Sequence, residues 1–432
     1  MGELLLTSDP DKERVLLVGV QLRRQQEWLV HDSLDELALL SETAGADVAD
    51  RVICKQASLN PGTFIGKGKA EELARRVEED DISTVVFDDE LSPAQGRNLS
   101  TMLSAKVIDR TQLILDIFAQ HARTKEGRLQ IELAQLHYLL PRLRRMWTHL
   151  ERQQGGIGLR GPGEKQLELD RRRIQDRMHR IREALKHVIQ HRTEQRRGRR
   201  RHGWALITLV GYTNAGKSTL LNALTGSEVE VDDKLFATLD PTTRQIKLPN
   251  NQPALMTDTV GFIRKLPHHL VESFKATLEE VVQADLLLHV VDTPHQMVME
   301  QIEGVKAVLR EIGAADKPVL HVLNKMDRPE SALHGVPLES RLGKTVRISA
   351  LTGEGLNLLR EELADFLRSR NVEMTLRIPL AEARLLALIR SSGKIHKEHY
   401  GDDGFVEMRA VVPGKMQARC APYLVESRKE DM

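Results

Sequence analysis

Leu206-Ile207-Thr208-Leu209-Val210 leads into Gly211-Tyr212-Thr213-Asn214-Ala215-Gly216-Lys217-Ser218-Thr219, and a helix-like stretch follows. The apolar run reads as a buried strand, and Gly-x4-Gly-Lys-Ser between a strand and a helix is a phosphate-binding loop. Its glycines let successive backbone N–H groups turn toward one anion, and the helix adds the positive end of its dipole. The reading assigns Gly211, Tyr212, Thr213, Asn214, Ala215, Gly216, Lys217, Ser218 and Thr219 to the nucleotide. Lys217 reaches the β- and γ-phosphates as a catalytic charge, and the Ser218 hydroxyl ligates Mg²⁺. The context predicts an α/β fold with a doubly wound sheet.

Three further motifs follow in order. Asp258-Thr259-Val260-Gly261 comes after the strand-like Ala254-Leu255-Met256-Thr257. Asp258 is placed to hold the Mg²⁺ shell, and the Gly261 N–H to meet the γ-phosphate. Asn324-Lys325-Met326-Asp327 follows a third strand-like run at 318–323. The Asp327 carboxylate can accept from N1–H and N2–H₂ of guanine, a donor pair that adenine lacks. Ser349-Ala350-Leu351 follows a strand at 346–348, where its backbone can meet guanine O6. The set selects GTP over ATP and disfavours a small-molecule kinase, which needs no Asn-Lys-x-Asp.

Outward from this site, 432 residues predict several domains. Two cysteines, Cys54 and Cys420, exclude a disulfide scaffold and a Cys-rich zinc module. No signal peptide or membrane span is expected, so the chain reads as cytoplasmic. The net charge of +1 is a sum of unlike parts. Residues 1–109 carry 12 Lys+Arg against 21 Asp+Glu, and residues 110–201 carry 23 against 10. The expected organisation is an N-terminal α/β domain over 1–110, a basic helical hairpin with a Gly-rich loop over 111–202, a P-loop GTPase domain over 203–370 and a small α+β domain over 371–432.

The front alternates strands (15–20, 52–55, 84–87, 105–108) with helices (32–44, 70–79), which predicts a parallel sheet. Gly62, Gly66 and Gly68 with Lys67 and Lys69 form either a turn or an anion loop; without Gly-Lys-Ser/Thr it is not a P-loop. In the middle, Leu129, Leu133, Leu136 and Leu140, then Ile174, Met178, Ile181, Leu185 and Val188, recur at helical steps. Between them Gly155–Gly163 holds five glycines in nine residues, with Arg160 inside it and Lys165 beside it. A dense arginine run is usually a solvated face. Here the Gly loop with Arg suits irregular RNA, and the expected contacts are Gly155, Gly156, Gly158, Arg160, Gly161, Lys165, Arg171, Arg172 and Arg173.

The P-loop, Phe236-Ala237-Thr238-Leu239-Asp240-Pro241, and Asp258–Gly261 continuing into Phe262-Ile263-Arg264-Lys265-Leu266-Pro267-His268 together resemble the HflX family of ribosome-associated GTPases, in the Obg–HflX branch. Gly155–Gly163 with Glu164, Gln166, Leu167 and Glu168 does so as well, as do 91–95, 107–111 and 115–120. The resemblance covers roughly residues 50 to 370. It implies a monomeric switch that binds GTP and GDP, Mg²⁺, and the 50S subunit with its 23S rRNA, and that rescues or splits stalled or idle 70S ribosomes under stress. An alternative is a 50S biogenesis factor or rRNA chaperone in which hydrolysis is secondary. An ATP-using activity in 1–109 is a third reading, weakened by the missing P-loop there.

The resemblance also implies a nucleotide contact from Phe236, Ala237, Thr238, Leu239 and Asp240. Thr238 would be the switch I hydroxyl on Mg²⁺ and a catalytic residue, with Thr242 and Thr243 as competitors. Phe262 stands where many GTPases have a water-orienting Gln, so slow intrinsic hydrolysis is expected. Asn214 matches the place where K⁺-using GTPases hold the cation; the alternative is a loop hydrogen bond. Lys165 departs from the Thr of the family.

Overall fold

The structure is a computed structural model. It describes residues 13–143, 162–201, 204–226, 235–236, 239–249, 252–265, 275–369, 371–401 and 403–425. The chain is mixed α/β and divides into two compact units. One contains Met1–Lys186, Glu230–Asp240 and Val260–Leu278; the other contains His187–Val229, Pro241–Thr259 and Glu279–Met432.

The first unit begins with β1 (Arg14–Leu22), α1 (Glu27–Thr43), β2 (Asp47–Gln56), α2 (Lys67–Glu79), β3 (Thr84–Phe87), α3 (Pro93–Leu103) and β4 (Lys106–Asp109). The sheet order is β2-β1-β3-β4, all parallel. β1 is an almost continuous apolar run because it is covered on both faces, as parallel sheets require. Gly19 lets α1 press close: a Cβ there would lie 3.0 Å from Val30 and 3.1 Å from Leu34. Gly66 is the N-cap of α2, and Lys69 pairs with Glu72 at 2.7 Å, so the glycine-lysine stretch is a helix start. A Ser92–Gln95 capping box opens α3. Asp109 caps α4 (Arg110–His121) by accepting from Gln112 N–H.

Two helices follow: α5 (Lys125–Leu143), and α6 (Pro162–Arg201), which is divided between the units after Lys186. On α6, Met178, Ile181 and Leu185 are buried, as their spacing predicts. On α5 the buried face differs from the expected leucine stripe. It comprises Glu126, Gly127, Gln130, Ile131, Ala134 and Tyr138, while Leu129, Leu133, Leu136 and Leu140 are not buried and Leu139 is exposed. Two polar residues enter this face, and Gln130 Nε2 donates to Glu126 Oε1 at 3.3 Å. Arg177 makes a bidentate pair with Glu132 (2.6 and 2.8 Å), which ties α6 to α5.

The second unit holds β5 (Ala205–Gly211), α7 (Lys217–Thr225), β6 (Thr242–Leu248), β7 (Gln252–Asp258), α8 (Lys275–Gln283), β8 (Leu286–Asp292), α9 (Val298–Glu311), β9 (Val319–Asn324), α10 (Ser331–Leu342), β10 (Thr345–Arg347) and α11 (Leu356–Ser369), with α8 divided between the units. Its sheet order is β10-β9-β8-β5-β7-β6, with only β6 antiparallel. Ile207, Leu209, Leu220, Leu288, Val290, Val322, Ile348 and Leu363 form its core. A three-stranded antiparallel sheet follows: β11 (Asn371–Pro379), β12 (Lys394–Tyr400) and β13 (Phe405–Pro413), ordered β11-β13-β12. It carries α12 (Ala383–Ser392) and its own apolar cluster around Leu376, Ile389 and Met408. Among the described residues no helix is long and apolar enough to cross a membrane.

His289 and His321 are register partners on β8 and β9, and their Nδ1 atoms lie 3.1 Å apart in the core. One ring must donate and the other accept, so the two cannot both be protonated. Burial pushes both imidazoles well below their usual range, aided at His289 by His321 and at both by Lys306. The unfolded rings take up protons near 6.5 and the folded ones do not. Stability is therefore full above that pH and falls as the pH drops below it. Two such groups predict a loss of roughly 2–3 kcal/mol between pH 7.5 and 5.5. Urea unfolding at the two pH values checks this, and equal stabilities contradict it.

Candidate guanine-nucleotide site

The motifs of the second unit meet at the carboxyl ends of β5, β7, β9 and β10, where open parallel sheets bind ligands. Gly211 has φ +154°, and a Cβ on it would lie 2.3 Å from the Val290 carbonyl oxygen. The root of the loop thus runs against β8 at a distance only glycine permits. Gly216 sits at φ +90° as the N-cap of α7, and a Cβ there would lie 2.3 Å from Asn324 Nδ2.

Lys217 folds back over the loop and donates to the Tyr212 carbonyl at 2.7 Å. Burial pushes its ammonium down to about 8, with the Asp258 carboxylate opposing the shift. A polyphosphate beside it would restore the charge. The Ser218 hydroxyl donates to Asp258 Oδ2 at 2.7 Å, which joins the P-loop helix to the end of β7. The convergent donors are a hydroxyl and a carboxylate, hard oxygens of the kind Mg²⁺ takes. Among the described residues no group of three or more His, Cys, Asp or Glu could hold a metal. Thr259 is buried and donates to the Leu209 carbonyl at 2.7 Å.

Asn324 joins two loops. Its Nδ2 donates to the Ala215 carbonyl at 2.8 Å, and its Oδ1 accepts from the Ala350 N–H at 2.9 Å. Sequence reasoning placed Asn324 at the nucleotide and missed this role. Lys325, at φ +62°, pairs with Asp292 at 2.7 Å. Met326 N–H donates to the Ile348 carbonyl, and Asp327 is exposed. The Ser349–Leu351 turn is closed by Thr352 N–H donating to Ser349 Oγ. Ala350 is buried and Leu351 is 81% exposed.

The expected switch residues fall in the first unit. Val260, Gly261, Phe262 and Ile263 are buried. Beyond them Arg264 pairs with Asp32 at 2.6 Å, and Lys265 pairs with Asp88 and with Asp89, the latter at 2.6 Å. Asp88 follows β3, beside the β1/β3 reversal of the sheet order. Burial alone would raise its carboxyl, but Arg110 and Lys265 hold it below the usual range. The Phe236 ring meets Phe118 edge-on, with centroids 4.6 Å apart, and Leu239 is buried. Asp240, expected at the nucleotide, has its carboxylate bonded to Arg123 and Thr124. Asp32, Asp88, Asp89 and Thr124 were missed; the acidic pair directly after a strand was the only local signal. Ala237 and Thr238 lie outside the described residues, as do Gly155, Gly156, Gly158, Arg160 and Gly161. The side chain of Lys165 also lies outside them, whereas Arg171, Arg172 and Arg173 are exposed on α6.

This is the site of a P-loop GTPase. Family models match in sequence: "GTP-binding GTPase N-terminal" over residues 31–119, "GTP-binding GTPase Middle Region" over 121–199, and "50S ribosome-binding GTPase" over 206–325. The chain is 48% identical to GTPase HflX of Lacrimispora saccharolytica, over 95% of this chain and 96% of that one. It is 45% identical to GTPase HflX of Escherichia coli K12, over 93% and 94%. A solved GTP-binding protein from Sulfolobus solfataricus in complex with GDP is 27% identical, over 82% of this chain and 98% of that one, with a TM-score of 0.43. The chain belongs to the HflX family of GTPases and is a GTP-hydrolysing enzyme.

Proposed function

We propose that the protein is a GTP-driven switch that binds the 50S subunit through its basic helical region and separates or rescues stalled or idle 70S ribosomes under stress. In this reading it is a cytoplasmic monomer when free. The observation that carries the reading is the run of exposed arginines on α6, Arg171 to Arg173, on the same chain as a guanine-nucleotide site. Residues 171–201 carry 13 basic and 3 acidic side chains, a density suited to rRNA phosphates. One of the family models that the chain matches is also described as a 50S ribosome-binding GTPase.

Within the site, backbone N–H groups of Gly211–Thr219 cradle the phosphates, and Lys217 neutralises the β- and γ-oxygens. Ser218 and Asp258 would hold Mg²⁺, which when bound would supply charge to screen the phosphates. Thr238 adds the switch I hydroxyl, the Gly261 N–H meets the γ-phosphate, and Asp327 reads guanine. Asn214, exposed at φ +57°, is open to hold K⁺.

Phe262 is buried and cannot orient the attacking water. Isolated protein should turn over at about 10⁻³ s⁻¹ or slower, in the range of unassisted GTPases. Ribosomes should accelerate it at least about tenfold, by supplying or ordering the missing group. Phosphate release measured with and without 50S subunits tests this, and fast hydrolysis by the protein alone rejects it.

A further inference from the structure

The Asn324–Asp327 motif turns on a strained residue, and the clamp on that residue comes from outside the motif. β9 ends at Asn324, and Lys325 follows at φ +62°. The left-handed conformation crowds Cβ against the backbone, so a lysine keeps it only where the surroundings impose it. The turn takes the chain off the strand, and Asp327 follows two residues on. Three contacts fasten its backbone. Arg328 N–H donates to the Lys325 carbonyl at 3.1 Å, the Ser331 hydroxyl donates to the same oxygen at 2.6 Å, and Met326 N–H donates to the Ile348 carbonyl at 3.1 Å.

A fourth contact holds the side chain. Lys325 Nζ donates to Asp292 Oδ2 at 2.7 Å. Asp292 is the last residue of β8 and the register partner of Asn324, so it stands level with the start of the turn. Its own backbone is fixed, His295 N–H donating to the Asp292 carbonyl at 3.2 Å and Thr293 N–H to the Asn324 carbonyl at 3.3 Å. The side chains of Asp292 and Lys325 are 13% and 18% exposed. A pair so shielded is screened little by salt, and removing one partner strands the other's charge. Asp292 Oδ1 has no hydrogen-bond partner among the described residues, which leaves Lys325 as the cation bound to this carboxylate. All of these residues lie in one compact unit.

We propose that Asp292 is a positioning residue for guanine recognition: by clamping the Lys325 side chain it keeps the left-handed turn closed, and the turn sets where Asp327 is presented to the base. Without the clamp, the lysine is drawn to solvent and its backbone relaxes toward the right-handed region, carrying the chain that leads to Asp327. The inference rests on Asp327 reading guanine, as proposed above. It makes selectivity for the base, and not grip on the phosphates, the property that Asp292 governs.

The test compares GDP with inosine diphosphate (IDP), whose base lacks only the N2 amino group of guanine, by displacement of a fluorescent guanine nucleotide from the full chain. The parent should prefer GDP by at least about tenfold, in keeping with one hydrogen bond to a charged group. Asp292→Ala should reduce the preference to about twofold or less, GDP losing more affinity than IDP. A merely structural loss would lower both alike and leave the ratio unmoved. Adding Lys325→Gly to Asp292→Ala should restore a preference of at least about fivefold, because glycine adopts the left-handed turn without a clamp. Adding Lys325→Met instead should not, because it removes the stranded charge and keeps the Cβ. Asp292→Asn, of the same shape without the charge, should lower the preference about threefold and serves if Asp292→Ala does not fold. The parent's preference in folded Asp292→Ala or Asp292→Asn overturns the proposal, as do equal losses of GDP and IDP. A preference restored by Lys325→Met as well as by Lys325→Gly, or by neither, also overturns it. Equal binding of GDP and IDP by the parent, or the parent's preference in Asp327→Ala, overturns base reading by Asp327 and the proposal with it. A preference lost in Asp327→Ala and kept in Asp292→Ala overturns the positioning role alone.

Discussion

Asn324→Ala should lower the affinity for both GTP and GDP by about 10²- to 10³-fold. Asn324 is 2% exposed, and its amide has both hydrogen-bonding ends in use, Nδ2 to the Ala215 carbonyl and Oδ1 from the Ala350 N–H. Alanine leaves two buried backbone groups without these partners, each at a cost of roughly 1–3 kcal/mol. It also opens space beside Gly216, whose missing Cβ is the room the Asn324 amide occupies. The phosphate loop and the Ser349–Leu351 turn would then move independently. Titration with a fluorescent guanine nucleotide measures the effect, and a loss below about fivefold would show that the two loops hold their places without the bridge.

Asp327→Asn should exchange the base that is read. The carboxylate offers two acceptors to guanine N1–H and N2–H₂, and the charge strengthens both bonds. The amide replaces one acceptor with a donor, so guanine loses one bond and meets N–H opposed to N–H. A loss of about 10³-fold in GTP affinity is expected. Xanthine carries a carbonyl where guanine has its amino group and can accept from the new amide. XTP should therefore bind within about tenfold of the parent's affinity for GTP. Asp327 is exposed, so the exchange leaves the fold intact. Equal GTP affinity in parent and variant would remove Asp327 from base recognition.

Much of this was legible in the chain because each piece had a local cause. The P-loop announces itself by glycines that no other residue could replace at Gly211 and Gly216. The parallel strand at Arg14–Leu22 announces itself by uninterrupted apolarity. What escaped were features with long-range causes. The inward face of α5 could not be read from its leucines, because it includes the polar Glu126 and Gln130, which share a hydrogen bond in the interior. Asn324 was visible as a motif member, but its bridge joins positions more than a hundred residues apart in one direction and twenty-six in the other. Asp240 stood in a motif that suggested the nucleotide. Its partners at 123 and 124 lie far back in the chain, and no spacing rule connects them. The ion pairs of Arg264 and Lys265 with Asp32, Asp88 and Asp89 are of the same kind. Charge arithmetic marked an acidic front and a basic middle without saying which carboxylates would be used.

In the proposed function, GTP binding and not hydrolysis drives the separation of ribosomal subunits. Sedimentation of 70S particles mixed with the protein and GTP, a non-hydrolysable GTP analogue or GDP tests it directly. The expected result is 30S and 50S peaks with GTP and with the analogue, and intact 70S with GDP. Intact 70S with every nucleotide would contradict it and favour an RNA-binding biogenesis factor or rRNA chaperone in which hydrolysis is secondary.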